Sequence, residues 1–440
     1  MVRYLKEVFM IDKNMERILA AHLNLKSSNL QSIETATDKD GHPSIYVTLA
    51  RNPRIFCPHD SSHRIQSNGY YTRRIVISDR LFEKTDVFLK VPRYYCKDCH
   101  LSFSEDFHMA PAGKTISYET VIKVMELLQD PHMTFREAAQ LTGISVSSIV
   151  RIFDEHCHIP RRTFPEAVCV DEVYSPGSSF NDSDYVCIFY DFYEHKIIDV
   201  LPSRQKNYLH HYFQPFQGTG ELNAVRFLIM DMHKTYKVIG KFYMKKAVIC
   251  VDSFHVIKQL NDSLSKLRIR IMKRYNTDSI EYYLLKHWKF LLFDRTIDLD
   301  NKARYNKKLG RFINYRQLLD MILSIDPQLE MAWHLKERFT IFNATATYEN
   351  ATARLEELIR DFVLANIPEF QKFTTAISNW RVEIVNSFLM YKGRRVNNGV
   401  AESINAAIAV LLFNTRGIRN VERRRKRIMY AINKTGFMIK

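Results

Sequence analysis

The chain has 440 residues, of which 46% are hydrophobic and 25% are charged, and its formal net charge is +16 at pH 7. This composition excludes a wholly disordered chain, and the length predicts about two to four domains. The positive charge favours a polyanionic partner such as nucleic acid, although a soluble basic protein without such a partner has the same composition.

The sequence also argues against a membrane protein and against a secreted one. No apolar run approaches the roughly 18 residues that a membrane-spanning helix needs. The first residues carry scattered charges and have no signal-peptide core. The chain contains seven cysteines, an odd and sparse set, which favours the reducing cytoplasm over a disulfide-bonded scaffold.

Residues 1–110 are predicted to form an N-terminal region with a zinc-binding module. Cys96 and Cys99 form a CxxC turn, which brings two thiolates to one edge of a tetrahedron, as zinc requires. A segment that starts at Cys57 offers the second half-site. The predicted ligands are Cys57, His63, Cys96 and Cys99, and the alternatives for the fourth ligand are His59 and Asp60. A module of reduced thiols that folds without metal is the other interpretation.

Residues 111–160 are predicted to form a helix-turn-helix. Thr134 and Glu137 have the spacing of a capping box at the start of the first helix. Gly143 suits a left-handed turn after that helix, and Ser145 suits the N-cap of the second. The side chains expected to face inward are Ala138, Ala139, Leu141, Ile144, Val146, Ile149, Val150 and Phe153. Those expected to face DNA are Ser147, Ser148 and Arg151. A plain helical hairpin is the alternative.

Residues 161–260 are predicted to alternate between strands and helices. Strands 185–191 and 196–201 are expected to pair antiparallel with the strand before them, with turns at Pro176-Gly177 and Glu194-His195. Three apolar strands lead to carboxylates along one edge of the sheet, namely Asp171, Asp231 and Asp252. Clustered carboxylates repel one another unless a cation lies among them, and Mg²⁺ prefers such oxygen ligands.

Residues 261–395 are predicted to form a helical insertion domain, since they contain only two prolines and lie between Asp252 and Glu402, which are 150 positions apart. Trp380 or Tyr391 is a candidate to stack on an unpaired base. The favoured alternative is that these rings, like the other two tryptophans, anchor the core.

Residues 396–440 are predicted to form a helix followed by a basic tail. One helix face carries an apolar stripe made of Val400, Ile404, Ala407, Ile408 and Leu411, and the other face carries Glu402 and Asn405. The tail, residues 414–440, has nine Lys or Arg and one Glu. The basic run predicted to bind phosphate comprises Arg423, Arg424, Arg425, Lys426 and Arg427. A solvated helix face is the alternative.

Taken together, these motifs resemble those of bacterial insertion-sequence transposases of the ISL3 family, whose DDE catalytic domain is ribonuclease-H-like. The resemblance covers most of the chain. It is carried by the Cys-Pro and Tyr-Tyr-Cys-x-x-Cys segments, the helix-turn-helix, Val-Asp171-Glu172, Met-Asp231-Met, Asp252-Ser-Phe-His255-Val-Ile-Lys258 and Asn-Gly-Val-Ala-Glu402-Ser-Ile-Asn405. The departure is Asp60, which stands where the family usually has a second cysteine.

The resemblance implies a catalytic triad of Asp171, Asp231 and Glu402 that holds two Mg²⁺ ions for DNA strand cleavage and transfer. The residues expected to support the triad are Asp252, His255 and Asn405. The implied fold is multidomain α+β, with a structural Zn²⁺ module, a helix-turn-helix and a ribonuclease-H-like α/β core interrupted by the helical insertion.

The partner implied by the resemblance is double-stranded DNA, both the terminal inverted repeats of the element and the target. A homodimer on DNA is expected, since two element ends must be handled together, and so is a cytoplasmic location at the bacterial nucleoid. Two alternatives stay open, namely a non-catalytic DNA-binding regulator and a metal-dependent nuclease of the same fold.

Overall fold

The computed structural model describes residues 8–10, 12–37, 41–79, 83–105, 107–111, 113–174, 185–397, 401–414 and 418–437, without the side chains of 8–10, 27 and 401–403. The chain divides into two compact units. The first unit comprises residues 1–160 and 410–440, and the second comprises residues 161–409. Each unit buries its own apolar core.

The first unit opens with a six-stranded sheet and one helix. Its elements are β1 (Val8–Met10), α1 (Lys13–His22), β2 (Leu30–Thr37), β3 (Pro43–Leu49), β4 (Ile65–Ile77), β5 (Thr85–Cys96) and β6 (Ser102–Ser104). The strand order is β1-β2-β3-β5-β4, with β6 beside β5. Only β3 and β5 pair in parallel among these described strands. Alternate residues of β5 are buried, which is the pattern of a sheet with one face on a core.

Three helices follow the sheet, and their ends confirm the predicted caps. They are α2 (Tyr118–Leu127), α3 (Phe135–Thr142) and α4 (Val146–His156). Thr134 and Glu137 form a capping box at α3, Gly143 has a φ of 66°, and the Ser145 hydroxyl accepts a hydrogen bond from the Ser148 amide at α4. A left-handed φ favours glycine because it has no Cβ.

Two predicted inward-facing residues of this region are exposed instead. Leu141 is 56% exposed, because the buried stripe of α3 runs through Ala138, Ala139 and Thr142. Val146 is 44% exposed and borders an open groove of about 560 Å³. The inward prediction is therefore wrong for these two residues, whereas Ile149 and Phe153 are fully buried, as predicted.

The second unit is built on a five-stranded mixed sheet. Its first elements are β7 (Ala167–Tyr174), β8 (Tyr185–Asp191), β9 (Ile197–Leu201), α5 (Lys206–Phe213), β10 (Phe227–Met230), α6 (Lys234–Tyr243), β11 (Val248–Val251) and α7 (Ser253–Met272). The strand order is β11-β10-β7-β8-β9. Strands β7, β8 and β9 pair antiparallel, as predicted, and β10 is parallel to β7 and β11. The predicted turn at Pro176-Gly177 lies outside the described residues.

Helices dominate the next region, and two short antiparallel hairpins interrupt them. The elements are α8 (Ile280–His287), β12 (Arg304–Asn306), β13 (Arg311–Ile313), α9 (Tyr315–Leu323), α10 (Pro327–Thr345), α11 (Tyr348–Ala365), α12 (Gln371–Asn379), α13 (Arg381–Asn386), β14 (Met390–Tyr391) and β15 (Arg394–Arg395). The hairpins were not predicted. Trp380 and Tyr391 are 6% and 8% exposed, which agrees with the interpretation that they anchor the core.

The chain ends in two helices, α14 (Ala401–Asn414) and α15 (Val421–Asn433). The apolar stripe of α14 is buried at Ile404, Ile408 and Leu411, as predicted, and Val400 lies outside the described residues. Helix α15 belongs to the first unit, where Tyr430 joins the core formed by α2, α3 and α4. None of the helices in the described part of the chain is long and apolar enough to cross a bilayer.

Candidate functional site

A compact group of metal-binding side chains lies in the first unit. The ligand atoms of Cys57, Asp60, Cys96 and Cys99 all lie within 4.8 Å of one another. The sulfur atoms of Cys57 and Cys99 are 3.5 Å apart, and the Cys96 sulfur is 3.4 Å from Asp60 Oδ2. Tetrahedral zinc holds its thiolate ligands about 3.8 Å apart, given a Zn–S distance of about 2.3 Å. Three thiols and one carboxylate in this arrangement fit a structural zinc ion.

Two turns of the same shape present these four ligands. In the first turn the Cys57 amide donates to the Ser62 carbonyl, and in the second the Cys96 amide donates to the Leu101 carbonyl. The fourth residue of each turn supplies a ligand, and the fifth has a positive φ of 59° in both turns. Asp60 therefore occupies in the first turn the position that Cys99 occupies in the second.

The fourth member of this group is Asp60, and the predicted His63 is not part of it. His63 is exposed and its ring packs edge-on against Phe56, at 6.3 Å between centroids. It follows the turn that starts at Cys57 and does not belong to the group of ligand atoms that lie within 4.8 Å of one another. Hydrogen bonds, first from the Ser62 amide and then from the cysteines, lower the pKa of Asp60 to about 2, so the ligand is a carboxylate at neutral pH.

In the second unit, the sheet register places three aspartates in one row. Cys169 pairs with Ile229, and Met230 pairs with Val251. The same register, carried one or two residues further, sets Asp171 beside Asp231 and Asp231 beside Asp252. The parallel strands thus bring to one edge three carboxylates that are far apart in the sequence.

Asp171 is nearly fully buried and is tied to two helices. The Asn405 amide of α14 donates to Asp171 Oδ2 at 2.6 Å. The His255 Nε2 atom of α7 lies 3.6 Å from Asp171 Oδ1 and 3.8 Å from Asp252 Oδ2. Burial lowers the pKa of His255, but the aspartates around it, Asp231 included, outweigh burial and raise that pKa. His255 therefore lies among all three carboxylates.

Asp231 is half-buried and lies in a surrounding that disfavours its charged form. Burial, and after it the charge of Glu172, raise the pKa of Asp231 to about 6. Its Oδ1 atom is shielded from solvent and has no hydrogen-bond partner among the described residues. A charged carboxylate with a shielded, unpaired oxygen costs free energy unless a cation is bound to it. Asp252, by contrast, caps α7 by accepting a hydrogen bond from the Phe254 amide at 3.0 Å, which agrees with a supporting role.

A second polar network, which the sequence motifs did not predict, lies beside Asp231. Glu172, the neighbour of Asp171 on β7, forms an ion pair with Arg204 and accepts a hydrogen bond from the Tyr236 hydroxyl at 2.8 Å. The guanidinium of Arg204 also lies over the ring of Tyr185, 4.8 Å from its centroid. The charge of Arg204 opposes the rise in the pKa of Asp231 that Glu172 causes. A carboxylate next to a predicted catalytic aspartate was the available sequence signal.

The remaining predicted catalytic residue, Glu402, lies in the first turn of α14, and its side chain is outside the described part of the chain. The helix that carries it contacts the site through Asn405. Asp171, Asp231, Asp252, His255 and Asn405 are thus brought together around one point, whereas the position of the Glu402 carboxylate stays a prediction.

The predicted DNA-contacting residues of α4 are on its surface. Ser147 and Arg151 are exposed and Ser148 is half-buried. The hydroxyls of Ser147 and Ser148 lie 3.0 and 2.9 Å from the hydroxyl of the N-cap residue Ser145. This leaves one polar face of α4 outside the core of the first unit.

Much of the basic run on α15 serves the fold of the first unit. Arg423 forms a bidentate ion pair with Asp154 of α4, with a shortest distance of 2.6 Å. Arg424 donates to a backbone carbonyl at 2.7 Å, and Arg427 is only 1% exposed and donates to two carbonyls of the turn before α3. Phosphate contact is therefore wrong for Arg424 and Arg427, because burial removes them from the surface. Arg425 and Lys426 remain partly exposed.

Known families match both parts of the chain. A family model described as a transposase, of the ISL3 type with a DDE catalytic domain, matches residues 168–428, more than half of the chain. A second model, described as the zinc-finger of transposase IS204/IS1001/IS1096/IS1165, matches residues 53–99. Comparison with curated proteins gave no match. The protein is therefore a transposase with an N-terminal zinc ribbon.

The particular family is defined by the longer match, which includes the aspartate row and both C-terminal helices as far as residue 428. The chain belongs to the ISL3 family of insertion-sequence transposases. This confirms the resemblance that the sequence motifs indicated.

Proposed function

We propose that this transposase binds the terminal inverted repeats of an insertion sequence and catalyses Mg²⁺-dependent cleavage and transfer of DNA strands. The observation that carries the proposal is the 2.6 Å hydrogen bond from Asn405 to Asp171. Residues three apart on a helix share a face, and Glu402 precedes Asn405 by three. The bond therefore ties the face that bears Glu402 to the strand that bears Asp171.

The strand order supports a ribonuclease-H-like core. Three antiparallel strands in sequence, followed by two parallel strands added beside the first of them, give the order β9-β8-β7-β10-β11. In such a sheet the first strand lies at the centre, and its carboxylate can meet one from the adjacent parallel strand. Asp171 on β7 and Asp231 after β10 hold these positions, with Glu402 as the third carboxylate from a helix.

The donor set fits divalent magnesium. Asp171 is a buried oxygen donor and Asp231 a half-buried one, whose shielded Oδ1 atom has no hydrogen-bond partner among the described residues. Hard cations prefer carboxylate oxygens and keep water and phosphate oxygens in the rest of their shell. When bound, a pair of Mg²⁺ ions supplies activation of the attacking oxygen and stabilisation of the leaving oxygen.

The residues around the carboxylates have positioning roles in this proposal. Asn405 fixes the orientation of Asp171, and Asp252 fixes the first turn of α7 and with it His255. Arg204 and Tyr236 fix the position of the Glu172 carboxyl group, whose charge acts on Asp231. In this proposal the protein acts by pre-organising these groups, and no covalent intermediate with DNA is needed.

The first unit is proposed to recognise the element ends. Helices α3 and α4, joined by a left-handed glycine and capped at both N-termini, have the form of a helix-turn-helix. Ser147, Ser148 and Arg151 lie on the polar face of α4, where a recognition helix meets base edges. Two ends must be held together for transfer, and we therefore propose a homodimer on DNA.

The proposal is tested by incubating the full-length protein and Mg²⁺ with labelled duplex DNA taken from the borders of the element. We expect cleaved and joined products, and their loss in Asp171→Asn, Asp231→Asn and Glu402→Gln. Asp262→Asn, an exposed carboxylate of α7, is the matched control and retains activity. Normal cleavage by Asp231→Asn or Glu402→Gln would refute the triad. Binding without cleavage would indicate a regulator, and cleavage without joining a nuclease.

A further inference from the structure

The hairpin of β12 and β13 presents two aromatic rings to solvent. Tyr305 and Phe312 stand directly opposite each other in the register, with ring centroids 5.4 Å apart. They are 57% and 70% exposed. Two adjacent aromatic rings exposed at the tip of a hairpin do not contribute to the core. An exposed apolar patch of this kind indicates an interaction site.

The same hairpin is strongly basic, and its cations are not neutralised. Five Lys or Arg and no Asp or Glu occur between residues 301 and 313, namely Lys302, Arg304, Lys307, Lys308 and Arg311. All five are exposed, and no ion pair is formed by them within the described chain. Elsewhere in this helical region arginines form ion pairs, as Arg270 does with Glu369 and Arg274 does with Asp326. Positive charge is therefore concentrated at the hairpin.

The tip of the hairpin has a fixed shape. Asn306 is 8% exposed, and its side-chain oxygen accepts hydrogen bonds from the Lys308 and Leu309 amides at 3.1 and 3.2 Å. Gly310, with a φ of 66°, closes the turn by donating to the Asn306 carbonyl at 2.9 Å. Two lysines are thus held at the tip, next to the exposed rings.

Beneath the hairpin lies a pocket of about 450 Å³ whose wall is aromatic and basic. It is lined by Tyr283, Trp288, Tyr315, Tyr305, Lys307 and Lys308 among others. Trp288 and Tyr315 are in ring contact, with centroids 5.9 Å apart. The indole nitrogen of Trp288 is shielded from solvent and meets no hydrogen-bond acceptor in the described chain. A flat ligand with a carbonyl oxygen would supply both a stacking partner and that acceptor.

We infer that the β12–β13 hairpin and this pocket bind a DNA strand with unstacked bases. The inference rests on the proposed function, which brings DNA to this unit. Lys307 and Lys308 contact the phosphates, Tyr305 and Phe312 stack on bases, and the pocket receives one base. Duplex DNA hides its base faces, whereas a single strand offers them, so the exposed rings favour the single strand.

The experiment is fluorescence anisotropy of full-length protein in EDTA, with two labelled probes. One is an oligothymidine strand of about twenty nucleotides, and the other is a mixed-sequence duplex of the same length. We expect the double variant Tyr305→Ala/Phe312→Ala to weaken oligothymidine binding by about ten-fold or more and duplex binding by less than about two-fold. Lys307→Gln/Lys308→Gln is expected to weaken oligothymidine binding and to reduce its salt dependence.

Matched controls come from the same unit. Tyr348→Ala removes another exposed ring, and Lys372→Gln another exposed cation; neither is expected to change binding of the strand. Unchanged oligothymidine binding by the Tyr305→Ala/Phe312→Ala variant would overturn the inference, and so would an equal loss for strand and duplex, which indicates phosphate contact alone. Circular dichroism checks that each variant is folded.

The readout separates this inference from the proposed function. Binding is measured without Mg²⁺, and Asp231→Asn protein is expected to bind oligothymidine as the unchanged protein does. If Asp231→Asn retained cleavage, the catalytic assignment would fail while the hairpin result stood. If the hairpin variants bound the strand normally while cleavage required Asp231, only the inference about the hairpin would fail.

Discussion

The C-terminal helix α15 completes the core formed by α2, α3 and α4, and Tyr430 is the residue that tests this. Its side chain is fully buried, its hydroxyl donates to the Met125 carbonyl at 2.8 Å, and its ring meets Phe153 edge-on at 5.8 Å. Tyr430→Phe keeps the ring and removes the hydrogen bond, at a cost of about 1 kcal/mol. Tyr430→Ala also opens a cavity, so its expected cost is about 3–5 kcal/mol.

The chain provides an internal reference for this measurement. All three tryptophans, Trp288, Trp333 and Trp380, lie in the second unit. Tryptophan fluorescence therefore reports unfolding of the second unit, whereas hydrogen exchange of α2 and α4 amides reports that of the first. Tyr430→Ala is expected to accelerate exchange in α2 and α4 and to leave the fluorescence transition unchanged.

Removal of residues 418–440 is the stronger form of the same perturbation. It deletes the buried Arg427 and Tyr430 together, so α2, α3 and α4 are expected to lose protection and duplex binding is expected to fail. A fragment of residues 1–160 alone should behave in the same way. Full protection of α2 and α4 in Tyr430→Ala, or in the truncated protein, would refute the assignment of α15 to this core.

Three further predictions concern other parts of the molecule. Asp60→Ala is expected to lower the zinc content of the purified protein, measured by metal analysis, while His63→Ala leaves it unchanged; the reverse result would restore His63 as the ligand. Asn405→Ala is expected to lower strand cleavage at limiting Mg²⁺ by about 10- to 100-fold, and rescue by raised Mg²⁺ would separate this from misfolding. Gly143→Ala is expected to destabilise the first unit by about 1–3 kcal/mol, because φ is 66° and a Cβ would lie 2.7 Å from Lys84 Cβ; an unchanged denaturation midpoint would contradict it.

The parts of the fold that local chemistry determines were predictable from the sequence. The capping box at Thr134 and the turn at Gly143 depend on residues within one helical turn, and both were predicted. The aspartate row was predictable because parallel strands meet at a common edge, and each apolar strand is followed by its own carboxylate. The family resemblance added Glu402, which no local pattern distinguishes from a solvated glutamate.

The misses have a common cause, which is that they depend on contacts between distant segments. Asp60 was only an alternative to His63 as the fourth zinc ligand, yet the turn at Cys57 repeats the geometry of the turn at Cys96 and places Asp60 beside the thiols. Arg427 has the sequence context of a solvated basic run, but its helix packs against a region nearly 300 residues earlier. The sequence around Asp60 or Arg427 does not reveal the distant segment that each residue contacts.

The state of Asp231 predicts how magnesium changes the stability of the second unit. The pKa of Asp231 rises from 3.8 to about 6 in the folded protein, so its ionised form destabilises the folded state. This free-energy cost is absent below about pH 4, grows as the pH rises and is complete above about pH 6. At neutral pH this pKa shift lowers the free energy of unfolding by roughly 3 kcal/mol. Asp231→Asn removes the charge and is therefore expected to raise the fluorescence melting temperature of the metal-free protein.

Magnesium is expected to stabilise the unchanged protein more than the Asp231→Asn variant. A ligand that binds only the folded state at about 100 times its Kd stabilises by roughly 2.7 kcal/mol, so Mg²⁺ should raise the melting temperature of the unchanged protein. In Asp231→Asn one of the ligands is lost and Mg²⁺ should shift the transition little. Asp262→Asn, which removes an exposed carboxylate, should respond to Mg²⁺ as the unchanged protein does. An equal Mg²⁺ response in Asp231→Asn would mean that the cation binds elsewhere, because a site that includes this carboxylate must lose affinity when the charge is removed.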